Sequence, residues 1–255
     1  MRIATWNVNS LKVRLEQLLD WLKQDGPDVV CLQETKLDDP KFPAGTIEQA
    51  GYHVVFSGQK TYNGVAIISR EPCSGVVRGI PGYADEQKRV IAASIGTLRV
   101  IDAYVPNGQS VDSDKYQYKL DWLRAFTGWL GDELHEHGEV AVLGDFNIAP
   151  ESRDVHDPKA WEGKVLCSEA ERAAFNGLID LGFTDSFRMF DQPEKTFTWW
   201  DYRLNAFKRG MGLRIDHILL SRQLAGRCKG VSVMKEMRAL ERPSDHAPVV
   251  AEFTA

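Results

Sequence analysis

Strand-like runs recur along almost the whole chain, and only three long amphipathic segments interrupt them. The runs are Arg2–Trp6, Val29–Gln33, His53–Ser57, Val65–Ser69, Arg89–Ile95, Leu98–Val105, Val140–Leu143, Arg214–Ser221, Val231–Val233 and Pro248–Phe253. Most are rich in Val and Ile and bounded by Gly, Pro, Asn or Asp. The first helical stretch puts Leu11, Leu15, Leu18, Leu19 and Leu22 on one face and stops at Gly26-Pro27. The second spans about Asp114 to Glu136, with Tyr116, Leu120, Leu123, Phe126, Leu130 and Leu134 inward. The third opens on the capping box Ser168–Glu171 and ends near Leu181-Gly182. Runs that neighbour each other, such as Arg89–Ile95 and Leu98–Val105, disfavour a purely parallel doubly wound sheet. The pattern fits two packed sheets with helices outside, an α/β sandwich. No Ser/Gly/Pro-rich linker and no solenoid repeat divides the chain, so one domain over residues 1–255 is expected.

Composition narrows the class without naming a function. Apolar residues at 43% and charged residues at 26% are ordinary for a globule. The first twenty residues lack a basic stretch followed by an apolar run, and no apolar stretch approaches bilayer length. No signal peptide, no membrane attachment and a cytoplasmic location are therefore expected. Cys31, Cys73, Cys167 and Cys228 form no CxxC pair, which points to a reducing compartment without zinc or disulfides. A net charge of −5 argues against a non-specific basic coat for nucleic acid. It leaves room for a local basic face beside an acidic metal site.

Acid and amide side chains cluster at the ends of these runs. The motifs are Trp6-Asn7-Val8-Asn9, Leu32-Gln33-Glu34-Thr35-Lys36, Gly144-Asp145-Phe146-Asn147, Leu213-Arg214-Ile215-Asp216-His217 and Ser244-Asp245-His246-Ala247-Pro248. Converging on one rim, they would crowd carboxylates together, which requires a cation. Glu34 alone could be a solvated strand end. A parallel neighbour carrying Asn7 would make the two a Mg²⁺-holding pair. Asp145 and Asn147 either form an Asx turn or point the same way from extended backbone to hold water and a phosphate oxygen. Asp216, inside an apolar strand, needs a partner such as a histidine or a metal. His217 points to the opposite face and reads as structural or partly exposed. His246 could be held by Asp216 through one nitrogen and meet phosphate with the other. Tyr104 could donate to phosphate or be a half-buried aromatic. Trp199 and Trp200 read as a core pair or as a platform for a base or sugar ring.

With these motifs in order from the first residue to the last, the chain resembles the exonuclease III-type abasic-site endonucleases of the endonuclease/exonuclease/phosphatase superfamily. Phe42-Pro43, Gly58–Lys60, Asn63–Ile67, Tyr104–Gly108 and Trp200–Arg203 also match. The resemblance implies a four-layered α/β sandwich: two mixed β-sheets packed face to face, helices outside, active site at one rim. It implies Mg²⁺, replaceable by Mn²⁺, as one or two ions on Glu34 and Asn7, with Asp245 in a second position or in the hydrogen-bond network. Asp145 would activate or position water or protonate the leaving oxygen. Asn147, Tyr104 and His246 would hold the phosphate, and Asp216 would orient His246.

The implied reaction is in-line hydrolysis of a phosphodiester in double-stranded DNA. It nicks 5′ to an abasic site to leave a 3′-hydroxyl, with 3′–5′ exonuclease and 3′-phosphatase activity at blocked ends. A monomer is expected. Trp199, Leu213 and Ile215 would wall a pocket for the flipped sugar. Asn107, Lys115 and Tyr62 would touch DNA, helped by positive charge from Lys60, Arg89, Arg203, Lys208, Arg209 and Arg214. The stretch Glu151–Ser168, with Cys167, departs from the family pattern beside the site. A second reading is therefore a member acting mainly as 3′-exonuclease or 3′-phosphatase, with weak abasic cleavage. Two others are a superfamily phosphoesterase on a non-DNA substrate and an inactive damage-binding module. The presence of Glu34, Asp145, Asp216 and His246 disfavours the last.

Overall fold

The structure, a computed structural model, describes residues 1–254. Fourteen strands are present among them: β1 (Arg2–Asn7), β2 (Val29–Gln33), β3 (His53–Ser57), β4 (Val65–Ser69), β5 (Ser74–Arg78), β6 (Val90–Ile95), β7 (Leu98–Tyr104), β8 (Glu139–Asp145), β9 (Phe183–Asp185), β10 (Trp199–Trp200), β11 (Gly212–Leu213), β12 (Asp216–Ser221), β13 (Cys228–Val233) and β14 (Val249–Phe253). They form two six-stranded mixed sheets, ordered β13-β14-β1-β2-β4-β3 and β5-β6-β7-β8-β12-β9, and a small β10-β11 ribbon. The helices are α1 (Leu11–Asp25), α2 (Ala44–Gln49), α3 (Asp114–Glu136), α4 (Pro158–Trp161), α5 (Glu169–Leu181) and α6 (Arg222–Ala225).

Side-chain alternation divides the core into layers. Ile3, Cys31, Ile67, Val100, Leu143 and Ile218 meet between the sheets. Ala4, Trp6, Leu32 and Ile68 turn the other way, onto Leu11, Leu18 and Leu22 of α1. Ile101, Val142 and Leu219 do the same on the second sheet, against Phe126 and Leu130 of α3 and Phe175 of α5. The result is the expected four-layered sandwich.

The boundaries of α1, α3 and α5 match the periodicity, and α5 carries the capping box. The deeply buried face of α3 is rotated from the expected one. Trp122, Trp129, Lys119 and Glu133 are buried, while Tyr116, Leu120 and Leu134 are half-buried. Lys119 and Glu133 carry charges that hid this stripe in the sequence. Of the run Arg214–Ser221 only Asp216–Ser221 is strand, as β12; Arg214, buried, and Ile215 separate it from β11. The short strands β5, β9 and β10 lack an alternating apolar signal. No described helix is long and apolar enough to cross a membrane.

Candidate active site

Register places the acidic residues in one row. Tyr104 of β7 and Asp216 of β12 are both paired with Asp145 of β8, and the alternation turns all three toward the gap between the sheets. Strands β7 and β8 approach closely there: a Cβ on Gly144 would lie 1.8 Å from the Ala103 carbonyl oxygen, so only glycine fits. On the facing sheet β1 and β2 run parallel with Asn7 opposite Gln33, which puts Glu34 beside Asn7. The Asn7 Nδ2 group bridges the sheets, donating to Glu34 Oε1 and to Asp145 Oδ2, each at 2.9 Å. Below it, Gln33 donates across the same gap to Asp102 at 2.7 Å.

Two of these residues sit in the left-handed backbone region, Glu34 at φ 53° and Asn147 at φ 48°. Such conformations cost on the order of 1 kcal/mol and persist where neighbours enforce them. The Glu34 carbonyl accepts from Ser10 N, and Asn147 N donates to Asp145 Oδ1 at 2.9 Å. The segment Asp145–Asn147 is therefore the Asx turn, not extended backbone. The turn itself aims Asn147 at the rim, where its Nδ2 donates to the Val105 carbonyl and its Oδ1 accepts from Asn107.

The partner required by Asp216 is His246. Its Nδ1 lies 2.9 Å from Asp216 Oδ2, and its Nε2 faces Asp145 Oδ2 at 3.7 Å. Burial disfavours charge on the His246 ring. The carboxylates of Asp216, Asp145 and Asp245 outweigh it and push the imidazole up to about 10. Burial raises Asp145; although His246 opposes this, with Asp216 adding to the rise, its carboxyl is pushed up to about 7. Burial and the Glu34 and Asp145 charges push the Tyr104 phenol well above its ordinary range. Neighbouring His217 is buried on the opposite face, bonded to Arg214 and to the Ile148 carbonyl. Desolvation and the Arg214 charge push it down to about 4, so it is structural and neutral.

Glu34, Asp145 and His246 each present one donor atom within 4.8 Å of the others. Carboxylate oxygens of two residues gathered this closely in a buried rim fit a hard divalent cation. Lys36 neutralises part of that charge, its Nζ lying 3.1 Å from Glu34 Oε2. Asp245 is engaged in hydrogen bonds: Asn9 Nδ2 and Trp199 Nε1 donate to its two oxygens, each at 3.0 Å.

The residues expected at DNA fall into two groups. Tyr62, Asn107 and Lys115 line one groove of about 620 Å³ together with Arg89 and Gln87. Trp199, Leu213 and Ile215 share an apolar cluster with Leu166 and Cys167. The two tryptophans part company: Trp200 is buried against Phe207, while Trp199 is half-buried and reaches Asp245. Arg214 does not supply the surface charge expected of it. It is buried and bonded to Asp154 and Asp185. Alternation puts it on the face opposite Leu213 and Ile215, where Asp154 and Asp185 cover it. Thr198, Asn9 and Lys36 were missed. Thr198 Oγ1 donates to Asp216 at 2.6 Å, and Lys36 donates to Asn9. Asn9 and Lys36 stood inside recognised motifs, whereas nothing local marked Thr198.

Comparison with known proteins agrees with this geometry. Residues 4–246 match the model of the endonuclease/exonuclease/phosphatase family. Exodeoxyribonuclease III of Haemophilus influenzae is 38% identical, covering 99% of this chain and 100% of that protein. DNA repair nuclease APEX1 of Danio rerio is 32% identical over 98% of this chain and 81% of that protein. Among solved structures, the 3′ phosphatase NExo from Neisseria bound to product DNA hairpin superposes with a TM-score of 0.99 at 51% identity, over 100% of both chains. An AP endonuclease from Archaeoglobus fulgidus gives 0.96 at 41% identity, also over 100% of both. The chain belongs to the endonuclease/exonuclease/phosphatase family, as a hydrolase of the exonuclease III and AP endonuclease type.

Proposed function

We propose that the protein is a Mg²⁺-dependent DNA repair phosphodiesterase, acting on double-stranded DNA both 5′ to abasic sites and at blocked 3′ ends. The observation that carries this reading is the meeting of Glu34, Asp145 and His246 within 4.8 Å at a rim that opens beside the Tyr62–Asn107–Lys115 groove. Glu34 would hold the ion, with Asn7 keeping the Glu34 and Asp145 carboxylates in place; a Mg²⁺ bound there would offset charge building on the phosphate. His246, held by Asp216, presents a charged N–H to a phosphate oxygen. Asn147 and Tyr104 supply neutral donors beside it. Asp145, with a carboxyl that titrates near neutrality, is suited to holding the attacking water or moving its proton.

The half-buried Trp199, backed by the buried Leu213, Ile215, Leu166 and Cys167, would receive a sugar that carries no base. A second reading also has support: the likeness at 51% is to a 3′ phosphatase, and that at 41% is to an AP endonuclease. On that reading 3′-phosphate removal dominates. A product-resolved gel decides between them, comparing an internal abasic analogue, a 3′-phosphate end and an intact 3′ end at equal enzyme. Cleavage of none of the three with Mg²⁺ present would refute both.

A further inference from the structure

Lys119 and Glu171 are charged, yet neither has any exposed surface. Lys119 Nζ lies 2.5 Å from Glu171 Oε1 and donates as well to the Asn147 carbonyl at 2.6 Å and the Asn107 carbonyl at 3.2 Å. Its alkyl stem packs beneath Gly108. Glu171 takes up the remaining contacts on the other side. Its Oε1 accepts from Leu166 N at 3.0 Å, and its Oε2 accepts from Ser168 N at 3.1 Å and Ser168 Oγ at 2.6 Å. Leu166 itself is held at φ 75° and accepts from Ala149 N.

One ion pair thus ties together three loops that come from distant parts of the chain. The loop at 105–108 carries Asn107, the loop at 145–149 carries Asn147, and the loop at 166–168 carries Leu166 and Cys167 of the apolar wall. Stability does not require charge here, because well-packed apolar residues commonly replace a buried pair without loss. What charge with directed hydrogen bonds adds is a fixed distance between loops.

We propose that Lys119 and Glu171 are positioning residues for substrate choice. They tie the 166–168 segment, which backs the half-buried Trp199, to Asn147, and so set the width of a site that would admit a bare sugar and turn away a nucleotide carrying its base. The proposal rests on the abasic-site reading above. Both side chains are fully buried, so they act through the loops they hold.

The test compares the wild type with Glu171→Gln and with the charge-neutral double variant Lys119→Met/Glu171→Gln. Both variants deprive the Ser168 N–H and hydroxyl of their carboxylate. Three duplexes are used: one with an internal tetrahydrofuran abasic analogue, one with an intact 3′ terminus, and one ending in a 3′-phosphate. The expected result is that kcat/KM for abasic incision relative to terminal-nucleotide removal falls at least about tenfold, with 3′-phosphate hydrolysis within about fivefold of wild type. A purely structural role would scale all three rates together. That outcome overturns the proposal, as do an unchanged ratio, failure of both variants to fold, and a wild type that removes 3′-phosphate without preferring the abasic duplex. Wild-type protein that cleaves none of the three with Mg²⁺ marks the failure of the functional reading itself.

Discussion

His246 and Asp145 face each other across the rim, with Nε2 3.7 Å from Oδ2, while Asp216 holds the far side of the imidazole at 2.9 Å. A charged ring fixed between two carboxylates can reach a phosphate oxygen only if one of them keeps it in place. Asp216→Asn preserves the shape and removes the charge that favours the imidazolium. Turnover on a 3′-phosphate duplex should fall about a hundredfold or more, with DNA affinity changed less than about threefold. Single-turnover rates and a binding isotherm measure the two separately; equal losses in both would contradict the assigned role.

Asp145→Asn removes the carboxyl that titrates near neutrality and leaves the Asx turn able to form. Turnover should drop at least about a hundredfold while abasic-duplex binding persists. Near-wild-type cleavage by this variant would refute the catalytic assignment.

The groove beside the rim predicts a salt-dependent contact. Lys115→Ala should weaken DNA binding and reduce the slope of log K against log salt by about one, without changing kcat. The decisive quantity is the slope: if it is unaltered, Lys115 does not meet a phosphate.

His217 gives a pH dependence of stability with a definite sign. Its folded pKa, pushed down to about 4, lies below the ordinary 6.5. Between those values the unfolded chain binds the proton more readily, so stability falls as pH drops from about 6.5 to about 4. The full effect of a shift this size is on the order of 3 kcal/mol. Urea denaturation at stepped pH should show that decline, flattened in His217→Asn relative to the variant's own stability at neutral pH. A parallel decline in the variant would assign it to other groups.

Much of this site could be read from the chain because its parts are strand ends. Glu34, Asp145 and Asp216 each follow or open an apolar run whose period fixes their face, and Asn7 beside Glu34 needed only a parallel pairing. Local pattern misleads where tertiary context overrides it. The Asx turn at Asp145–Asn147 was available from the residue types, but its left-handed Asn147 depends on contacts with Asn107 and Val105. Arg214 looked like surface charge because its partners, Asp154 and Asp185, lie 60 and 29 residues away. Thr198 acts through one hydroxyl bonded to a carboxylate 18 residues on, which no local motif reports. Lys119 and Glu133 disguised the buried face of α3 for the same reason: the matching charges, Glu171 and Arg99, belong to other elements.

The proposed role of the rim is to gather its carboxylates around a divalent cation and hydrolyse phosphate esters of DNA. It is tested most directly by titrating Mg²⁺ into wild type and Glu34→Gln while following phosphate release from a 3′-phosphate duplex. Activity should vanish in EDTA and return with Mg²⁺, and Glu34→Gln should need at least about tenfold more Mg²⁺ for half-maximal rate. Release that continues in EDTA, or a Mg²⁺ requirement identical in the two proteins, would contradict the account.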